Sequence, residues 1–316
     1  MPKLSVVIPC YFNEENIPVT GAALVASEAL FPAGVTFEYV FVDDGSQDGT
    51  VAALLRLRQQ YPERVRVVEL AGNVGSYNAI AAGWQYATGE CIAVLTADLQ
   101  NPPELLATMY QYWQQGIKVV IASRQDRPER GLARATAELF HYLMRRFALP
   151  NVPQGGFDFL LIDRAVAQEV LALQERNSNI FYLVLWLGYP YINLPYTRLA
   201  RSIGKSRWTL SKRVKLFVDS FVSFSFLPIR LISVAGLLLG GGAFCYGLYV
   251  IGMRLLGLHE PEGWSSLMVV MLFVSAFQML ALGIIGEYVW RGLDAARSRP
   301  LYVVKQAHAP AAFPGT

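Results

Sequence analysis

FEYVFVDDGSQDGT (residues 37–50) holds the pattern on which the fold turns. An apolar run of aromatic and β-branched residues closes on two acids, Asp43 and Asp44, followed by Gly45-Ser46 and, from residue 50, by helical spacing. This reads as a buried strand that hands over to a helix through a polar turn. The unit recurs along the first 124 residues. LSVVIP, VRVVEL, CIAVLTAD and VVIASR read as further strands, with helix-like stretches at 17–29, 50–61, 76–87 and 103–115. Such alternation predicts an α/β fold, a mostly parallel Rossmann-like sheet with helices on both faces.

In folds of this kind ligands bind beyond the carboxyl ends of the strands. Three polar clusters fall there: Asn13-Glu14-Glu15, Asp43-Asp44-Gly45-Ser46 and Thr96-Ala97-Asp98. One cluster is ordinary turn chemistry; three on one sheet edge point to a site. An acid at Asp43 can hydrogen-bond a base or a ribose hydroxyl. An acid at Asp98 can hold Mg²⁺ or Mn²⁺, hard cations that share one or two carboxylates with a diphosphate. Neither a G-x-x-x-x-G-K-[ST] loop nor a G-x-G-x-x-G fingerprint is present, which removes support for P-loop kinases and dinucleotide enzymes.

The 316-residue chain is 53% hydrophobic and only 16% charged, against about 25% charged in ordinary soluble domains. The excess lies near the C-terminus. Residues 231–253 and 263–286 carry no charge, and each exceeds the roughly 20 residues that cross a bilayer. Their glycines and small residues suit close helix packing and an oligomer, with a tetramer in view. Arg201, Lys205, Arg207, Lys212, Arg213, Lys215 and Arg230 precede the first span, and Arg291, Arg297, Arg299 and Lys305 follow the second. The positive-inside rule then places both flanks in the cytoplasm of a multi-pass protein of the plasma membrane. TLSKRVKLFVDSFVSFSF reads as an amphipathic helix in the headgroup region. The expected organisation is a catalytic domain over 1–208, an interfacial helix over 209–228, two spans over 229–290 with an outside loop near 255–263, and a cytoplasmic tail over 291–316. The net charge of +3 lacks the basic stripe of a nucleic-acid binder, so no nucleic-acid partner is expected. Cys10, Cys91 and Cys245 are far apart and read as buried, reduced thiols.

PCYFNEENI, FVDDGSQDGT, NVGSYNAIAAGWQYATGE and TADLQNPPE, followed by FDFLLIDR, RSIGKSRW and the paired spans, give the chain a family likeness. From Leu4 to Lys305 it resembles bacterial polyprenyl-phosphate glycosyltransferases of family 2, relatives of dolichol-phosphate mannose synthase with a glycosyltransferase-A fold. The resemblance implies inverting transfer of a sugar from a nucleotide sugar to a polyprenyl phosphate such as undecaprenyl phosphate, for cell-envelope glycan modification. UDP-glucose is the first expectation for the donor, with a UDP-N-acetylhexosamine beside it. By the same resemblance Pro9, Tyr11, Glu14 and Asp43 hold the nucleotide, Asp98 and Gln100 the metal and diphosphate. Asp158 acts near the acceptor, Arg124 and Arg134 contact its phosphate, and Arg201 and Lys205 close over the diphosphates. The chain departs from the family pattern at Thr96, where the D-x-D motif has its first acid, at Ser76, often lysine, and at Leu160, where G-D-F-R has arginine. Two other readings carry less of the sequence. A processive polysaccharide synthase would need a Q-x-x-R-W motif and more spans, and a non-catalytic scaffold would rest on Thr96 and Ser76 alone.

Overall fold

The computed structural model describes residues 2–125, 139, 142–153, 156–173, 175, 178–199, 219–256 and 263–309. The chain divides into two compact units, Met1–Ser220 with Pro300–Thr316, and Phe221–Arg299.

In the first unit the elements follow as β1 (Lys3–Cys10), α1 (Ile17–Ser27), β2 (Thr36–Asp43), α2 (Thr50–Gln60), β3 (Val65–Leu70), α3 (Ser76–Tyr86), β4 (Cys91–Val94), α4 (Leu105–Gln114), β5 (Val119–Arg124), β6 (Phe159–Asp163), α5 (Arg164–Leu173), α6 (Ile180–Trp186) and β7 (Tyr191–Tyr196). A last strand, β8 (Val304–His308), comes from the far end of the chain. All five strands and four helices expected from the alternation are present. The described strands form one eight-stranded sheet in the order β7-β5-β6-β4-β1-β2-β3-β8. It is mostly parallel, with β6 antiparallel to β4 and β5, and β8 antiparallel to β3.

The central strands are rich in buried apolar residues, as strands covered by helices are. Leu4, Ile8, Phe41, Leu54, Tyr110 and Phe159 lie fully buried in the resulting core. α3 sits so close to the sheet that a Cβ built on Gly83 would fall 2.2 Å from Val7 Cγ1. β7 carries Pro195, which a ladder tolerates at a sheet edge, and β7 is an edge strand. At the start of β2, away from the polar loops, Glu38 is 0% exposed. It accepts from Ser5 Oγ (2.6 Å), Thr88 N (2.7 Å) and Arg66 Nε (3.3 Å), with Lys3 Nζ at 3.6 Å. Burial alone would raise its pKa, but those hydrogen bonds and the two cations hold it below the ordinary glutamate value.

The segment expected as a tail contains β8, which takes the edge beside β3. His308 Nε2 lies 2.9 Å from Glu69 Oε1, and Arg58 on α2 donates to the Ala309 carbonyl at 2.7 and 3.1 Å.

The second unit holds α7 (Leu227–Leu255) and α8 (Trp264–Ala296). Both contain stretches long and apolar enough to cross a membrane, Leu227–Met253 and Ser266–Ala296, with mean hydropathies of 1.8 and 2.4. Within this unit Tyr288 donates to the Ser225 carbonyl at 3.2 Å and Arg291 Nη1 to Ser223 Oγ at 3.3 Å. Cys10 and Cys91 are buried as expected, but Cys245 is exposed, because the apolar surface of α7 has no protein core to enter. Of the expected interfacial helix, 209–218 lie outside the described residues, and 219–224 are helical.

Candidate active site

The polar loops after β1, β2 and β4 lie at one edge of the sheet because these strands run parallel. The start of β6 joins them there because that strand runs the opposite way.

The loop after β1 is pinned to the loop after β2. Phe12 N donates to Ser46 Oγ (2.9 Å), Asn13 N to Thr50 Oγ1 (2.8 Å) and Gly49 N to Glu14 Oε2 (3.0 Å). Glu14 therefore braces the two loops. Pro9 lies in β1 beside Val42, and Tyr11, whose N–H meets Asn13 Oδ1 at 2.8 Å, packs edge-on to Phe12 at 4.6 Å. Phe12 (φ 55°) and Leu99 (φ 52°) are held in the left-handed region, which a bulky side chain seldom enters. Both stand in site loops, where backbone strain gathers.

Asp43 and Asp44 divide their work. Asp44 turns inward: Oδ1 accepts from Val74 N (2.7 Å), and Oδ2 from Gly75 N (3.0 Å) and Asn73 Nδ2 (3.0 Å). It fixes the loop that opens α3. Gly45 has φ 71°, and a Cβ there would meet the Gly72 backbone at 2.7 Å, so glycine is required. Asp43 is 2% exposed, accepts from Ser46 N at 3.1 Å through Oδ2, and has no hydrogen-bond partner for Oδ1 among the described residues. Burial pushes its pKa above the ordinary carboxylate value.

Two strands along from β2, past β1, the loop after β4 carries Asp98, whose Oδ1 receives Gln100 N at 3.4 Å. Gln100 Oε1 accepts from Arg198 Nη2, and the Gln100 carbonyl from Leu199 N (3.1 Å). Arg198, which sequence reasoning missed, is held below its usual pKa first by burial and then by the nearby charge of Arg124. Beyond β4, Asp158 stands just before β6. Its Oδ2 accepts from Arg124 Nη2 and its Oδ1 from Tyr196 OH at 2.7 Å. Arg124 and Tyr196 are register partners at the ends of β5 and β7. Burial, the largest single influence, would lower the Arg124 pKa; the Asp158 charge together with the hydrogen bonds to Asp158 and Tyr196 outweighs it and raises the value. Arg134, Arg201 and Lys205 lie outside the described residues. Asp163, placed after the site, caps α5 by accepting from Ala165 N at 3.0 Å.

A divalent cation fits this donor set in one way. Among the described residues there is no group of three His, Cys, Asp or Glu side chains that would cage a metal. Asp98 supplies one hard carboxylate on an open loop, which suits a cation whose other ligands are a diphosphate and water. Gln100 already engages a guanidinium, so its oxygen is a poorer ligand than Asp98.

The buried Asp43, the loop acid Asp98 and the Arg124–Asp158 pair with Arg198 thus mark one edge of the sheet as the candidate active site. Residues 5–171 match the model of glycosyl transferase family 2. The chain is 37% identical over 307 residues to the uncharacterized glycosyltransferase YkcC of Bacillus subtilis, covering 97% of this chain and 94% of that one. It is 32% identical over 307 residues to the SfII prophage-derived bactoprenol glucosyl transferase of Shigella flexneri, with 97% and 98% covered. It is also 30% identical over 305 residues to the undecaprenyl-phosphate 4-deoxy-4-formamido-L-arabinose transferase of Sodalis glossinidius, with 96% and 93% covered. The chain belongs to glycosyl transferase family 2 and is a glycosyltransferase.

Proposed function

We propose that the protein transfers glucose from UDP-glucose to membrane polyprenyl phosphate, with inversion at the sugar carbon. The observation that carries the reading is the order of chemistry along the sheet edge. Asp43 ends β2, Asp98 follows β4, Arg124 ends β5 and Asp158 precedes β6, in the strand order β5-β6-β4-β1-β2. Neighbouring strands stand about 4.8 Å apart, so each step spans about 10 Å. That spacing suits a nucleoside at Asp43, a diphosphate at Asp98 and an acceptor phosphate at Arg124. The buried Asp43 Oδ1, unpartnered among the described residues, would accept an N–H or hydroxyl from the nucleoside once the adjoining loop side chains make room, with Pro9, Tyr11 and the Glu14 brace beside it.

A lipid phosphate is already an anion near neutral pH, so the task is to bring two anions together and to stabilise the departing diphosphate. Arg124 and Arg198 reduce the repulsion on the acceptor side, and Asp158 holds Arg124 in place. Arg134, Arg201 and Lys205 are further contacts in this reading. Asp98 would hold Mg²⁺ or Mn²⁺, which when bound offsets charge on the diphosphate. Catalysis is then positioning and electrostatic stabilisation. α7 and α8 keep the enzyme in the bacterial plasma membrane where its acceptor resides. Both termini are cytoplasmic in this reading, 209–228 lie in the headgroup region, and the small-residue faces of the helices support self-association.

A second donor has a specific argument. The relative named for 4-deoxy-4-formamido-L-arabinose is nearly as similar as the one named for glucose, so the likeness does not single out glucose, and a UDP-N-acetylhexosamine is the alternative donor. The test is a screen of nucleotide sugars against undecaprenyl phosphate with Mg²⁺ and with Mn²⁺. Lipid-linked sugar from UDP-glucose is expected, and Asp98→Ala should lower its formation by about 10²-fold or more. Failure of every nucleotide sugar, or preference for a water-soluble acceptor, would overturn the proposal.

A further inference from the structure

A line of side chains, buried at its centre, joins the Asp98 loop to the Arg124–Asp158 pair. Thr96 Oγ1 donates to Asn101 Oδ1 at 2.7 Å, Asn101 Nδ2 donates to Tyr196 OH at 2.9 Å, and Tyr196 OH donates to Asp158 Oδ1 at 2.7 Å. Asp158 in turn accepts from Arg124 on its other oxygen. Asn101 and Tyr196 are buried, so solvent does not replace the contact between them.

The direction of every bond is set by its last member. An ionised carboxylate only accepts, so the Tyr196 hydroxyl must give its proton to Asp158. The phenol oxygen then receives the Asn101 amide N–H, which leaves the Asn101 carbonyl to face Thr96. Position 96 must therefore supply a donor. A hydroxyl does so; an ionised aspartate cannot, and it would set two acceptors against each other. Hydrogen bonds aligned in one sense reinforce one another in a low-dielectric setting.

We propose that Thr96, Asn101 and Tyr196 form a positioning relay that fixes the Asp158–Arg124 pair relative to the Asp98 loop. Thr96 in this account is not a weakened metal ligand but the donor that starts the relay. In this account all three act through Asp158 and Arg124, so each is a positioning residue. The inference rests on the transfer reading above, because its effect is on use of the acceptor.

The test uses the full-length enzyme in detergent with UDP-glucose and undecaprenyl phosphate. Tyr196→Phe and Thr96→Val should each lower kcat about tenfold, the scale on which a buried hydrogen bond is lost, while the donor KM stays within about twofold. Thr96→Ser should restore turnover and Thr96→Asp should not. The double variant should be no slower than the slower single one, since both cut the same line. The Mn²⁺ concentration for half-maximal activity should not move in Thr96→Val. UDP-induced thermal shifts check that each variant folds. The relay is overturned if Tyr196→Phe turns over at the wild-type rate, if the two losses multiply, or if Thr96→Asp is faster and needs less Mn²⁺. Loss of melting temperature in step with loss of rate also overturns it, as a purely structural role. A wild-type enzyme inactive on undecaprenyl phosphate with every donor would instead overturn the transfer reading, which separates the two failures.

Discussion

Two adjacent aspartates with the same chemistry do opposite things. Asp44 engages the backbone of 74–75 and Asn73 with both oxygens, whereas Asp43 has one oxygen without a hydrogen-bond partner among the described residues. Because burial raises the Asp43 pKa, its protonated form is favoured by folding. Its contribution to stability is fullest below the ordinary aspartate pKa and declines as pH rises through the folded-state value. Asp43→Asn should therefore melt no lower than wild type at pH 7 while UDP affinity drops about tenfold or more, as titration calorimetry can check. Wild-type UDP affinity should weaken in acid as Asp43 takes up its proton, and the variant's should not follow it. Glu38 has the reverse sign. Its lowered pKa contributes stability above the ordinary glutamate value that fades as pH falls through the folded one. Glu38→Gln should cost about 2 kcal/mol or more at pH 7, read by thermal melting, and the gap from wild type should narrow in acid. Asp43 and Asp98 were legible in the sequence because each closes an apolar run. Which of two neighbouring acids is used up in bracing the next loop depends on loop geometry, which residue type does not encode. Arg198 and Tyr196 carried no signal, for they sit in a proline-interrupted stretch without clear periodicity.

At the scale of elements, the five parallel strands and four helices were readable because alternating apolar runs and helical spacing are local properties. The direction of β6 was not. FDFLLIDR is an apolar run whichever way it enters the sheet, yet only the antiparallel entry brings Asp158 to the edge that holds Asp98. β7 and β8 escaped notice for physical reasons: one contains a proline and the other, VKQAH, is mostly polar, as an edge strand can be. The contact of α3 with the sheet gives an element-level expectation. In Gly83→Ala the new methyl meets Val7 at 2.2 Å and Val42 at 3.1 Å, both stiff β-branched side chains. Overpacking should outweigh the gain of up to about 1 kcal/mol in helix propensity and leave a net loss of about 1–2 kcal/mol. The same helix begins at the loop fixed by Asp44, so UDP affinity should fall along with the melting temperature.

At the scale of the whole molecule, the composition concealed two units of different character, and the sequence located the boundary region through its missing charges. It did not show that the first unit is built from both ends of the chain, since a five-residue polar strand has no long-range signature. A simple truncation at residue 220 removes β8 as well as the apolar helices and uncovers the β3 edge, a template for unwanted pairing. Replacing 221–299 with a flexible polar linker retains β8. The linker variant should stay monodisperse and bind UDP, whereas the truncation at 220 should aggregate. Size-exclusion chromatography distinguishes them.

The late arrival of β8 also sets an order of synthesis. β3 is complete at Leu70, but its partner begins at Val304, after both apolar helices have been translated. At about 5–20 residues per second the ribosome needs roughly ten to fifty seconds to cover that interval. Throughout it the nascent sheet has an open border. The final strand can close that border only when the hydrophobic hairpin has already left the exit tunnel. Completion of the catalytic sheet thus reports that the hairpin has been made, and a chain stalled inside it is left with an unfinished edge.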